Sequence, residues 1–237
     1  MILDLITRAV AEEEAVAEAQ PSWFENAFGD FAEFPVGGWI LVAVLLVGGL
    51  VVYRQFKSES KTVWSTKMLA LGAVCMALSN VLSMIKLFDM PQGGSVTPAS
   101  MLPLMLFAYV YGVGPGMTVG AVYGVMQFMI EPYFLSVPQM LLDYPIAFAM
   151  VGLAGLFSKN ENRALGLTAG VVLGSLGRFV AAVLSGVVFF AEYAGDQNPW
   201  VYSIGYNGAY MLPECIICVV LALAVGLRLT QQLSKAK

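Results

Sequence analysis

The sequence predicts an all-α integral membrane protein with seven spanning helices, and three observations predict it. Of 237 residues, 59% are hydrophobic and 12% charged, about half the charged share usual in a soluble domain. Several apolar runs reach or approach the ~20 residues a helix needs to cross a bilayer. They are continuous rather than alternating, which argues for helices and against a barrel. Finally, once the spans are drawn, the bases collect on one side of them.

Residues 1–36 stand apart. They carry eight acids (Asp4, Glu12, Glu13, Glu14, Glu18, Glu25, Asp30, Glu33) and one base, Arg8. No basic segment leads into an apolar core, so the pattern is not that of a signal peptide. It reads as an exposed acidic tail with a short amphipathic helix around Leu5–Ala19.

Gly37 to Tyr53 is the first span, short but free of charge. Arg54, Lys57, Lys61 and Lys67 follow in a basic linker. Bases stay with the cytoplasmic leaflet, so the N-terminus is expected outside. The second span covers about Met68–Phe88 and carries Ala73 and Ala77, a small-xxx-small face that allows close helix contact. Asp89–Ser100 (DMPQGGSVTPAS) is rich in Pro and Gly and reads as an outer loop dipping back towards the protein.

Met101–Tyr111 opens the third span, and Gly112–Gly116 (GVGPG) reads as a tight turn, since no Walker Lys or Ser/Thr follows. Gly116, Gly120 and Gly124 give the fourth span a flat face. Glu131–Val137 is an outer connection and Pro138–Phe157 the fifth span. Ser158–Ala164, with Lys159 and Arg163, falls inside. The sixth span, Leu165–Phe190, repeats glycine at 166, 170 and 174, and the last runs from about Ser203 to Leu227. Nine of the twelve bases lie in segments placed inside: Arg54, Lys57, Lys61, Lys67, Lys159, Arg163, Arg228, Lys235 and Lys237. The C-terminus is therefore expected in the cytoplasm.

The net charge of −4 excludes a basic nucleic-acid footprint. Cys75, Cys215 and Cys218 lie in apolar runs; with no histidine in the chain they complete no metal site and read as packing residues. No Ser nucleophile stands beside a base, so the chain reads as a non-enzyme without a cofactor.

The candidate functional stretch is Phe189–Glu214, FFAEYAGDQNPWVYSIGYNGAYMLPE. Flat rings beside acids and amides suit a small, ring-containing, cationic ligand; an aromatic belt at the lipid boundary produces the same composition. Three ionisable groups fall within spans: Asp143, Arg178 and Glu214. Each costs about 2.5–3.5 kcal/mol at a helix centre, so each should be paired or face a cavity. Arg178 and Glu214 suit one structural salt bridge. Gln139 and Asp143 share a helix face at i, i+4, with Tyr144 adjacent, and a carboxylate there suits a cation.

KLFDMPQGGSV (Lys86–Val96), LLDYPIAF (Leu141–Phe148), and SGVVFFAEYA with NPWVYSIGYNG (Ser185–Gly208) resemble the thiamine-specific substrate-binding subunits of energy-coupling factor transporters, the ThiT family. The similarity covers about Thr66–Arg228. It implies a six-helix substrate-binding core at 67–237, preceded by the acidic tail at 1–36 and an extra helix with its linker at 37–66. It also implies a membrane coupling subunit and two cytoplasmic ATPases as partners. By position, Asp143 matches the acid that meets thiamine, with Tyr144 beside it. Tyr202 and Asn207 match ligand contacts, Phe190 a stacking ring and Tyr133 another pocket ring, with Trp200 and Gln139 as further candidates. Ala73 and Ala77 match the AxxxA face towards the coupling subunit. Two positions depart: Ala182 stands where the family often has His, and Gly94 where some members have Trp. The lost hydrogen-bond partner is replaced by water or another side chain, or the ligand is a thiamine precursor or another vitamin. A self-sufficient transporter or a membrane enzyme, with Arg178 and Glu214 on a proton path, is the alternative of another class.

Overall fold

The computed structural model describes residues 64–236 apart from residue 92. The acidic tail, the first predicted span and most of the basic linker lie outside the described residues. Six helices follow: α1 (Thr66–Ser83), α2 (Leu102–Tyr111), α3 (Val113–Ile130), α4 (Val137–Phe157), α5 (Arg163–Phe189) and α6 (Pro199–Lys235). All but α2 are long and apolar enough to cross a membrane. Large apolar side chains lie exposed on the outer faces, among them Leu69 and Val74 on α1, Val125 on α3, Leu176 on α5 and Ile216 on α6. A face of that kind is stable against lipid tails.

At ten residues α2 is about 15 Å long, half a bilayer. It survives as a short helix because it is central: every residue from Leu102 to Val110 is buried, with Phe107 and Met105 fully enclosed. The turn that follows is tighter than the GVGPG motif suggests. Only Gly112 leaves helical geometry, at φ +95°, and its neighbour Val113 already starts α3. Glycine alone adopts that angle without cost.

The outer loop after α1 is not structureless. Phe88–Asp89 (β1) pairs antiparallel with Ser95–Val96 (β2), with Leu87 N–H donating to Val96 O at 2.8 Å and Met90 N–H to Gly94 O at 2.9 Å. This small hairpin is an addition to the all-α architecture. Gly93 and Gly94 both take positive φ at its tip.

The glycine repeats predicted to flatten α3 and α5 both meet α4, from opposite sides. A Cβ on Gly120 or Gly124 would run into the carbonyls of Phe148 and Tyr144, and one on Gly170 or Gly174 into those of Ala154 and Val151. Backbone therefore lies against backbone, and α4 is wedged between two smooth surfaces.

Within α4 the helix changes gauge. Pro145 has no N–H to return to the preceding turn and crowds the carbonyl four residues back. The chain accommodates it with a π-turn over Leu142–Ile146 and tightens into a 3-10 turn over Val151–Phe157. Insertions of that kind re-aim side chains locally. Asp143 and Tyr144 sit in the widened turn.

Candidate functional site

The end of the bundle that carries the hairpin holds a cavity of about 540 Å³, within the range of small-molecule sites. α3, α4, α5, α6, the hairpin and the 131–136 loop wall it.

The α4 wall is the most tightly specified. Ser136 caps the helix by accepting from the Gln139 N–H. The Gln139 side chain is fully buried and every polar atom is used. Its Oε1 accepts from the Leu135 N–H at 3.0 Å, and its Nε2 donates to the Tyr133 carbonyl at 3.3 Å and to Asp143 Oδ2 at 2.5 Å. Tyr144 completes the frame, accepting from the Tyr133 N–H and donating to the Glu131 carbonyl, both at 2.9 Å. The i, i+4 reading of Gln139 and Asp143 thus corresponds to a direct contact. Gln139 also ties down the loop that presents Tyr133.

Tyr133 lies 5.7 Å, centroid to centroid, from Phe190, which stacks on Tyr193 at 6.0 Å. A hydrogen bond with the Tyr193 hydroxyl, and then burial, push the Tyr133 phenol up to about 12, so Tyr133 presents a neutral hydroxyl at neutral pH. On the facing side Tyr202 stacks on Tyr206 at 5.8 Å. The cavity mouth is therefore framed by five rings.

α6 starts at Asn198, whose side chain accepts from the Trp200 N–H, with Pro199 in the first turn. Asn207 is buried, and its Nδ2 donates to Ser203 O at 2.9 Å, to Ser203 Oγ at 3.2 Å and to the Ala182 carbonyl at 3.4 Å. Its Oδ1 accepts from the Tyr210 hydroxyl at 2.8 Å. Ser203 Oγ in turn donates to Val183 O, so this patch fastens α6 to α5. The backbone carbonyl of Ala182 faces the Asn207 amide.

Of the residues singled out in the sequence, Asp143, Tyr144, Gln139, Tyr133, Phe190, Tyr202 and Asn207 all line this cavity. Trp200 does not; it is half exposed in the first turn of α6. Ala73 and Ala77 lie exposed on α1.

The expected Arg178–Glu214 salt bridge is not formed. Both side chains line the cavity, but each has a closer partner. Arg178 donates from Nη1 to Met101 Sδ at 2.8 Å and lies 4.4 Å above the Phe148 ring. Glu214 accepts at Oε1 from Thr97 and Ser100. Among the described residues the ion pairs are Lys86–Asp89 at 3.8 Å and Lys86–Glu131 at 3.2 Å, both at the cavity mouth.

Sequence reasoning did not select Tyr193, Tyr206, Tyr210 or Ser203 for the wall. The aromatic stretch contained the three tyrosines, and i, i+4 spacing of Tyr202, Tyr206 and Tyr210 was the available signal. With two carboxylates and one guanidinium on its inner wall and rings at its rim, the cavity suits a flat monocation.

Comparison with known proteins points the same way. Residues 69–234 match the family described as Thiamine transporter protein (Thia_YuaJ). The thiamine transporter ThiT of Bacillus subtilis is 37% identical over 162 residues, covering 62% of this chain and 84% of that protein. The protein of the same name from Lacticaseibacillus paracasei is 32% identical over 145 residues, covering 55% and 71%. A solved structure of ThiT from Listeria monocytogenes superposes with a TM-score of 0.64 at 23% identity, over 70% of this chain and 96% of that one, which establishes the shared fold. This chain belongs to the thiamine transporter protein family.

Proposed function

We propose that the chain is the membrane subunit that captures thiamine for an energy-coupling factor importer. The observation that carries the reading is the Asp143 carboxylate, held by Gln139 inside a ring-lined cavity. Thiamine joins a permanently cationic thiazolium to a flat aminopyrimidine. Asp143 balances the cation, and a cation over a ring adds about 0.5–2 kcal/mol. Tyr133, Phe190 and Tyr202 offer the stacking faces, and Asn207 with Tyr202 hydrogen-bonds the pyrimidine. The name carried by the relatives supports the choice of ligand.

The ligand enters from outside, with the N-terminus outside and the C-terminus in the cytoplasm. Lys67, Lys159, Arg163, Arg228 and Lys235 all belong to the end of the bundle away from the cavity, which supports that orientation. Uptake is driven by a membrane coupling subunit and two ATPases, and the exposed Ala73 and Ala77 of α1 form the face that meets the coupling subunit. Calorimetry on the purified chain tests the reading: it should bind thiamine tightly, and Asp143→Asn and Asn207→Ala should each weaken binding about tenfold or more. No binding at micromolar thiamine would end it. Ala182, which offers no side-chain hydrogen bond, favours one second reading, a thiamine precursor as ligand; mass spectrometry of co-purified small molecules separates the two.

A further inference from the structure

Glu214 is the most deeply buried acid among the described residues, 1% exposed, and beyond its charge on the cavity wall it has been assigned no contact with a ligand. Its Oε1 accepts from Thr97 Oγ1 at 2.5 Å and from Ser100 Oγ at 2.9 Å. Both donors are themselves buried and lie just after β2, at the foot of the hairpin.

The same face of α6 grips the hairpin at two further points, each one turn apart. The Tyr206 hydroxyl donates to the Gly93 carbonyl at 2.9 Å. The Tyr210 ring lies so close beneath Gly94 that a Cβ there would come within 2.8 Å of it. Tyr206, Tyr210 and Glu214 are spaced i, i+4, i+8, so they form one stripe along the helix. Between the foot of the hairpin and α2, Ala99 takes φ +63°, a left-handed conformation that strains a non-glycine residue. Such a turn persists only where its surroundings over-determine it. Here Ala99 is 1% exposed and flanked by the two residues that Glu214 holds.

We infer that Glu214 is a positioning residue: by anchoring Thr97 and Ser100 it seats the paired strands β1 and β2 across the cavity mouth and sets how fast a captured ligand escapes. Resting on the thiamine reading only for the identity of that ligand, the assignment concerns how the lid is held. Tyr210 links the two, because its hydroxyl donates to Asn207 while its ring supports Gly94. A ligand that engages Asn207 is sensed by the stripe that grips the lid.

The test uses the full chain in lipid nanodiscs and three variants, Glu214→Leu, Glu214→Gln and Thr97→Val. The first readout needs no ligand: hydrogen exchange of the 87–96 amides, which reports local opening. Glu214→Leu and Thr97→Val should each speed it about tenfold or more, and Glu214→Gln, which keeps the accepting oxygen, should stay within about threefold of the parent. The second readout is thiamine release. Glu214→Leu and Thr97→Val should release it about tenfold faster with association little changed, since such effects fall mainly on the off-rate. Unaltered hairpin exchange in Thr97→Val would overturn the inference, as would a Glu214→Gln variant that loses affinity while its hairpin stays protected, the behaviour of a direct ligand contact. A parent chain that fails to bind thiamine would sink the ligand assignment and leave the exchange result to judge the lid.

Discussion

Gln139 and Asp143 are joined by a side-chain hydrogen bond across one turn of α4, and the Gln139 amide has no polar atom left over. The bond fixes the carboxylate before any ligand arrives. Pre-positioning of this kind lowers the ordering cost of binding. It also makes the loop at 131–136 and the acid parts of one frame.

The first expected outcome follows from that frame. Gln139→Leu strands the Leu135 N–H, the Tyr133 carbonyl and Asp143 together, and buried groups left unpaired cost about 1–3 kcal/mol each. Thermal unfolding in detergent should show a lower midpoint, and calorimetry a weaker ligand. An unchanged midpoint would mean that the frame is not maintained in solution.

Charge matching at Asp143 can be separated from shape. Asp143→Asn should weaken thiamine about tenfold or more, while a neutral isostere of the thiazolium should lose less than about threefold. Equal losses for both compounds would assign Asp143 a steric role.

The orphaned expectation of an Arg178–Glu214 ion pair has its own check. A double-mutant cycle between these residues should give a coupling below about 0.5 kcal/mol. The same cycle between Arg178 and Phe148 should give about 0.5–2 kcal/mol. The reverse ranking would restore the salt bridge.

Close packing of α3 on α4 is tested by size. Gly120→Ala and Gly124→Ala place a methyl against a backbone carbonyl and should each cost about 1–3 kcal/mol. Gly114→Ala, whose added methyl meets open space, should be neutral or slightly stabilising. Melting curves of the three variants settle the comparison.

On the far side, Ala73→Trp and Ala77→Trp should leave thiamine affinity within about threefold of the parent, because exposed positions on α1 tolerate bulk in the isolated subunit. On the proposed energy-coupling assignment, ATP-driven uptake in vesicles that also hold the proposed coupling subunit and ATPases should fall sharply. Full uptake by both variants would remove α1 from the docking face.

Much of this was legible from residue order, for physical reasons that differ by element. The five long spans among the described residues were readable because a bilayer demands a minimum apolar length, which the ten-residue α2 does not reach, and α3 and α5 announced their packing by glycine at four-residue spacing. The hairpin was not, since two-residue strands are too short to alternate. Pro145 could be seen, but its π-turn depends on how α4 is wedged. At the site, Gln139 with Asp143 was legible because both lie on one short helical turn. Tyr206 and Tyr210 were not singled out, because aromatic residues on an apolar helix look the same whether they face lipid or a cavity. Arg178 and Glu214 were matched by opposite charge and depth, yet Phe148 and the Thr97–Ser100 turn were nearer. The cation-matching role proposed for Asp143 was already suggested by its place beside Gln139, whereas the one proposed for Asn207 came from the resemblance alone.

The glycine seams on either side of α4 divide the molecule mechanically. With carbonyls resting on bare backbone along both seams, α4 has no slack to slide or tilt against α3 or α5, and the three behave as a single beam. Whatever shape change accompanies loading or unloading is left to the pieces outside that beam: the hairpin, α1 and the grip of α6.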